Sequence, residues 1–203
     1  MQIFRYRTIQ TSSQGIYKEK GSKFLAFAFP VNSEDELKKH LENLRKEYFD
    51  ARHHCYAFVL GADKARYRAN DDGEPNHSAG DPILGQIRSK DLTNILVVVV
   101  RYFGGTKLGV SGLIQAYKIA TEDALKNASI IEVDVMSEIS LRYDYTATPD
   151  VMKLMKDLDL VIKDQSFQDR SFLKAAFKIS LEEKLKDRLL FMRSMGVPIE
   201  WEL

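Results

Sequence analysis

The sequence predicts an α+β protein organised as two domains. Three observations predict it. Ile95 to Val100 is a nearly continuous apolar run of strand length, which reads as a central strand buried on both faces. Other stretches carry apolar residues at helical spacing, notably Leu37, Leu41, Leu44 and Tyr48, and then Leu113, Tyr117, Ala120 and Ala124. After Met136 the pattern restarts and reads βαββαβ to the end of the chain, the split-βαβ order of ferredoxin-like domains.

In chain order, Ile3 to Ile9 reads as a strand and Ser12 to Gly15 as a turn. A second strand runs from Phe24 to Val31, aromatic and β-branched at its ends. Ser33 is an N-cap with Glu36 three residues on, a capping box that starts the helix carrying Leu37 to Tyr48. His54 to Leu60 returns to strand spacing, and the Asp, Gly, Asn and Pro content of Asn70 to Pro82 predicts a loop. The Ile95 strand ends in a glycine-rich turn, the Leu113 helix follows, and Ile130 to Val135 closes a first domain of residues 1–135. The second domain, residues 136–203, opens with a strand from Glu138 to Tyr145. Thr148 and Pro149 then supply an N-cap and a first-position proline for a helix striped by Val151, Leu154, Met155 and Leu158. Leu160 to Phe167 and Phe172 to Ser180 form a hairpin pair, Leu185 to Met192 a helix, and Pro198 to Leu203 a last strand.

Composition narrows the function. No apolar run reaches the roughly 18 residues of a membrane span, and the start MQIFRYRTIQ lacks a secretory core, so a cytoplasmic protein without membrane attachment is expected. Cys55 is the only cysteine, which excludes an internal disulfide and a multi-cysteine zinc site. Lys and Arg number 30 against 29 Asp and Glu, a formal charge of +1 that excludes a broadly basic surface. The balance is uneven locally. Asp63 to Asp81 holds five acids and three bases, whereas the residues between Pro82 and Thr121 hold five bases and one acid.

That basic segment contains the glycine-rich turn. Such a turn between a buried strand and a helix exposes backbone N–H groups at the positive end of the helix dipole, which favours anions. Arg101, Lys107 and the backbone of Gly104, Gly105 and Gly109 are therefore candidates to hold a phosphate, with Ser111 as helix cap and Tyr102-Phe103 as stacking faces. The alternative is that the glycines only permit a tight turn and close packing. It is not a Walker loop: Gly104 and Gly109 have the spacing, but Val110 stands where the phosphate-binding Lys is required, and no G-x-G-x-x-G is present. In the acidic loop Asp71, Asp72 and Glu74 are hard oxygen ligands of the kind magnesium takes, yet they are also ordinary turn residues, and no metal or cofactor is expected. Strand alternation puts His53 and Cys55 on one face and His54 on the other, with Cys55 read as a buried thiol. Asp72, Glu74 and His54 are the acid–base candidates if the chain is a phosphate-ester or nucleotide-processing enzyme, although no complete catalytic motif is present.

Asp72-Gly73-Glu74-Pro75, Ala79-Gly80 and Arg101-Tyr102-Phe103-Gly104-Gly105-x-Lys107-Leu108-Gly109 together resemble the signature of the YigZ/IMPACT family, and Lys23-Phe24 and His54-Cys55-x-Ala57 match it as well. The resemblance covers essentially the whole chain. It implies a first domain similar to the second domain of ribosomal protein S5, and a ferredoxin-like second domain similar to a C-terminal domain of elongation factor G. It also implies a place in translation or its control under stress, with RNA, the ribosome or a translation factor as partner. Lys23 joins the anion-binding candidates on this ground. Asn76-His77-Ser78 departs from the Ser-Gly-Thr common in the family. A remaining alternative makes the second domain a protein-docking module without catalysis.

Overall fold

A computed structural model of the chain describes residues 2–167 and 170–203. The chain is α+β and divides into two compact units, Tyr6–Val133 and a second formed by Asp134–Leu203 with the residues up to Arg5. The first unit carries β1 (Arg5–Ile9), β2 (Ser13–Glu19), β3 (Ser22–Pro30), α1 (Glu34–Glu47), β4 (His53–Leu60), β5 (Arg66–Asn70), α2 (Gly80–Ser89), β6 (Ile95–Tyr102), α3 (Gly109–Lys126) and β7 (Ile130–Asp134). Five strands form an antiparallel sheet in the order β2-β3-β6-β4-β5, and β1 pairs with β7.

The apolar run of β6 follows from its central place. Ile95, Val97 and Val99 pack with Ile83, Ile87, Leu113 and Tyr117 of α2 and α3, while Leu96, Val98 and Val100 pack with Leu37 and Leu44 of α1. A strand covered on both faces has no solvent-facing position to make polar. The same alternation commits the next residue, Arg101, to the face beneath α3. That placement generates the site.

The structure departs from the expected elements at several points. Ser13 to Gly15 begins β2, and the turn lies at Lys20-Gly21, both with positive φ (45° and 78°). Gly15 is required for close approach: a Cβ there would lie 2.2 Å from the backbone nitrogen of Ala124 in α3. The expected Asn70–Pro82 loop ends early, because α2 starts at Gly80 and Pro82 sits in its first turn, where a missing N–H costs no helical bond. Strand β5 is exposed along most of its length and is held by pairing to β4. At α1, Ser33 Oγ accepts the Glu36 N–H (3.2 Å), but the Glu36 carboxylate reaches the Asn32 N–H (2.7 Å), one residue beyond the expected capping box.

The second unit runs β8 (Met136–Tyr143), α4 (Thr148–Asp157), β9 (Val161–Phe167), β10 (Ser171–Lys178), α5 (Glu182–Ser194) and β11 (Ile199–Glu202), in sheet order β11-β8-β10-β9. Its core gathers Leu141, Tyr143, Leu154, Phe177, Leu185 and Leu189. Thr148 is the first residue of α4 and not its cap: a single 3-10 turn at Tyr145–Ala147 precedes it, and Thr148 Oγ1 donates to the Tyr145 carbonyl (2.7 Å). Among the described residues no helix is long and apolar enough to cross a membrane.

Gly15→Ala forces α3 away from β2, and overpacking of this kind costs about 1–3 kcal/mol. Urea unfolding should show a lowered midpoint with an unchanged slope. An unchanged midpoint contradicts the close-approach role.

Candidate functional site: a cationic cleft at the start of helix α3

The 71–75 loop and the segment leading from β6 into α3 wall one cleft of about 450 Å3. Arg52, Arg101 and Lys107 give its cationic side with His53 beside them, Pro75, Phe103, Leu108 and Val110 its apolar side, and Glu74 is its one carboxylate among the described residues. Sheet register sets the base of the cleft, since Arg101 on β6 lies between His53 of β4 and Phe24 of β3. Gly105 and Gly109 turn the chain from β6 into α3 with φ of +88° and +73°, a region that favours glycine. Helix α3 begins against the cleft with Leu108 as a cap that makes no side-chain hydrogen bond, and its first turn holds no acid. Its unpaired N–H groups and positive dipole end therefore belong to the cleft wall.

Glu74 and Arg101 form a buried ion pair. Their side chains are 4% and 7% exposed and meet at 2.5 Å. The Tyr117 hydroxyl donates to the same Glu74 oxygen at 2.8 Å. The Cys55 thiol lies 3.2 Å from the Tyr117 oxygen and 3.0 Å from the Asp71 carbonyl, with one proton to serve either. Burial pushes both the Tyr117 hydroxyl and the Cys55 thiol well above their ordinary pKa values, so both stay protonated. Cys55 is thus an inert core thiol. The Arg101 guanidinium lies 5.4 Å from the Phe24 ring centre and 5.8 Å from that of Phe103, and its Nε has no hydrogen-bond partner among the described residues. The cleft's carboxylate is already neutralised, whereas Arg52 and Lys107 form no ion pair among the described residues.

The other acids serve the loop. Asp71 accepts the N–H groups of His77 (2.9 Å), Ala79 (3.0 Å) and Gly80 (2.9 Å), which caps α2 from nine residues upstream. Its burial favours the neutral acid, but the amides of Gly80, His77 and Ala79 outweigh that and hold its pKa below the ordinary value. Asp72 accepts the His54 N–H (2.7 Å) and pairs with Arg45 of α1 (3.2 Å). Among the described residues no three His, Cys, Asp or Glu side chains gather to hold a metal ion; Asp71, Asp72 and Glu74 enter three separate networks. The departing Asn76-His77-Ser78 segment is part of the same turn, with Ser78 Oγ donating to the Pro75 carbonyl (2.6 Å) and His77 Nδ1 2.6 Å from Asp81.

Several expected site residues fall elsewhere. His54 is 5% exposed and faces α1, away from the cleft; burial lowers its pKa, against the pull of Asp72, so it is neutral. His53 lines the cleft in its place. Its Nδ1 lies 2.8 Å from the Asp72 carbonyl, a contact that requires the proton on Nδ1 and leaves Nε2 the acceptor in the neutral ring. Gly104 does not line the cleft: its N–H donates to Ser22 Oγ (3.2 Å), and a Cβ there would lie 1.9 Å from Gly21. Ser111 is the third residue of α3 and caps nothing. Lys23 is exposed on β3 opposite Tyr102 and does not line the cleft. Arg52 escaped the sequence reading and His53 was placed by strand face but not assigned to the site, although an arginine immediately before an apolar strand was the signal available.

Comparison with known proteins covers these residues. Residues 20–125, which include the whole cleft, match the model of the Impact N-terminal domain. The IMPACT family member YigZ of Escherichia coli (strain K12) is 33% identical over 159 residues, covering 77% of this chain and 78% of its own. The member YvyE of Bacillus subtilis (strain 168) is 29% identical over 182 residues, covering 90% and 82%. A crystal structure described as that of a hypothetical protein superposes with a TM-score of 0.78 at 27% identity, covering 98% of this chain and 97% of that one.

Removing one partner of a buried ion pair costs about 3–5 kcal/mol, because the other charge is stranded. Arg101→Met and Glu74→Met should each lower unfolding free energy by that order, and the double variant by much less than the sum. Additive losses contradict a coupled pair. Asp71, with its pKa depressed, contributes stability that is present above the ordinary carboxylate value of 3.8 and lost as pH falls through its folded pKa. Asp71→Asn should therefore destabilise at neutral pH and converge on the wild type in thermal melts as the pH falls below 3.8 and through the folded pKa. A pH-independent difference contradicts it.

Proposed function

The chain belongs to the IMPACT family, and from that premise we propose that it binds RNA, as part of translation or its control under stress, by holding a phosphate in the cleft at the start of α3. One observation carries the reading: among the described residues Arg52 and Lys107 have no counter-charge beside a helix N-terminus without a side-chain cap, while the only carboxylate lining the cleft is spent on Arg101. Arg52 supplies a forked, planar cation and Lys107 a mobile one, and Gly109 and Val110 bring backbone N–H groups to the same anion. Phe103 is 50% exposed and backed by Arg101, a face on which a base stacks. A volume of about 450 Å3 is within the usual range for small-ligand pockets and suits one nucleotide. The translation setting and the S5 domain 2-like reading of the first unit come from the family resemblance, the ferredoxin-like reading from the βαββαβ order after Met136, and the expected cytoplasmic location from the lack of a membrane-length apolar run.

A hydrolytic role has less support. Asp71, Asp72 and Glu74 are bound to partners that the fold needs, and His54 faces away from the cleft.

Filter binding of single-stranded RNA across a salt series tests the reading. For single strands the slope of log affinity against log salt is about −0.7 per phosphate contact, so Arg52→Ala with Lys107→Ala should flatten it by about 1.4 and weaken binding. Binding that is absent at low salt, or indifferent to the double variant, contradicts it.

A further inference from the structure

We propose that a second RNA-contacting tract runs along the edge strand β5, where Arg66, Arg68 and Arg88 meet phosphates around Tyr67. The proposal rests on the reading that the cleft takes an RNA phosphate, and it extends that site from one nucleotide to several. Strand β5 is the outer strand of the five-stranded sheet, and Arg66, Tyr67 and Arg68 are all exposed on it. None of Arg66, Arg68 and Arg88 forms an ion pair among the described residues. The nearest acids in sequence are engaged: Asp91 pairs with Lys64, and Asp63 accepts the Ala65 N–H. The chain thus places three uncompensated guanidinium groups on one edge of a molecule whose formal charge is only +1.

The arrangement is ordered. Arg66 and Arg68 stand opposite Leu60 and Phe58 of β4 and share one side of the strand, about 6.8 Å apart at their backbone positions. Tyr67 stands opposite Val59 on the other side, where the Arg88 guanidinium of α2 lies 4.3 Å from its ring centre. Tyr67 remains 53% exposed. Edge strands commonly carry charge to block pairing with other chains, but either sign does that. Two arginines on one side of an edge strand, with a third stacked on an aromatic ring on the other side, is a composition that single-stranded nucleic acid selects as it runs along the edge, phosphates on the cations and bases on the ring or the guanidinium plane. β5 also leads to the cleft. It ends at Asn70, whose side chain accepts the Asp72 N–H, and the next five residues are the loop that walls the cleft. One strand of RNA can follow β5 into it.

The test uses the full chain and fluorescence anisotropy with labelled oligouridylates of about 12 and about 4 nucleotides, within the range of site sizes for such surfaces. Three proteins are compared: wild type, Arg66→Ala with Arg68→Ala and Arg88→Ala, and Arg52→Ala with Lys107→Ala. All five substituted side chains are exposed, Arg52 and Lys107 at the cleft and the other three outside it, and thermal melts establish that each variant folds. The triple variant should bind the longer RNA at least tenfold more weakly, with a salt slope flattened by about 2, and bind the shorter RNA within about twofold of wild type. The cleft variant should lose both. An unchanged salt slope for the longer RNA in the triple variant overturns the tract. Displacement of the longer RNA by poly-glutamate at equal charge concentration as well as by RNA itself also overturns it, because the surface would then read charge alone. Loss confined to the triple variant, with the cleft variant binding as wild type, keeps the tract and removes the cleft reading. A wild type that binds neither RNA removes both.

Discussion

The buried pair of Glu74 and Arg101 is the contact on which the arrangement of the cleft depends. Its two ends come from unlike parts of the sequence, an acidic turn and the last buried position of the central strand. Tyr117 brings α3 to the same carboxylate, and Cys55 brings β4 to Tyr117, so one chain of polar contacts ties loop, sheet and helix together. Charges with so little exposure are costly to strand and cheap to keep only when paired, which is why the loop has little freedom to leave. The pairing also decides the electrostatics. An unneutralised Glu74 would repel any phosphate from the start of α3, and with it paired, Arg52, Lys107 and the helix terminus set the sign.

This explains how a chain of nearly zero net charge can present a locally cationic cleft. Total charge says only that no broad basic face exists. The acids of the 71–74 stretch are consumed locally: Asp71 on three amides, Asp72 on His54 and Arg45, Glu74 on Arg101. The bases around them are not consumed in the same proportion. Positive potential therefore arises by subtraction, where acids have been turned inward and Arg52 and Lys107 left outward.

Much of the fold was legible because it depends on local pattern. The β6 run, the α1 and α3 stripes and the βαββαβ order after Met136 each follow from period and length, and the structure holds them. What was not legible depends on partners distant in sequence. The first residues of helix α2, Gly80 to Pro82, read as loop because the group that caps them is Asp71, nine residues before the helix starts. Gly15 reads as a turn residue because the reason for it, the backbone of Ala124, is 109 positions away. β5 has no apolar alternation, since pairing with β4 and not burial makes it a strand. The site shows the same division. Alternation correctly separated His53 from His54, but only the sheet register shows that His53 faces Arg101 and the cleft. Gly104 and Gly105 are neighbours with different duties, one packed on Gly21 and one turning the chain, and nothing in the Gly-Gly pair distinguishes them.

The central claim is that an RNA phosphate sits between the start of α3 and the Arg101 floor of the cleft. A proton–nitrogen NMR titration of the labelled chain with uridine 5′-monophosphate addresses it directly. The account predicts saturable shifts at the amides of Gly109, Val110 and Ser111 and at the Arg101 Nε–H, with Gly104, whose N–H is already held by Ser22, nearly still. Saturable shifts confined to the β8–β11 sheet, or none at those four groups, would contradict it.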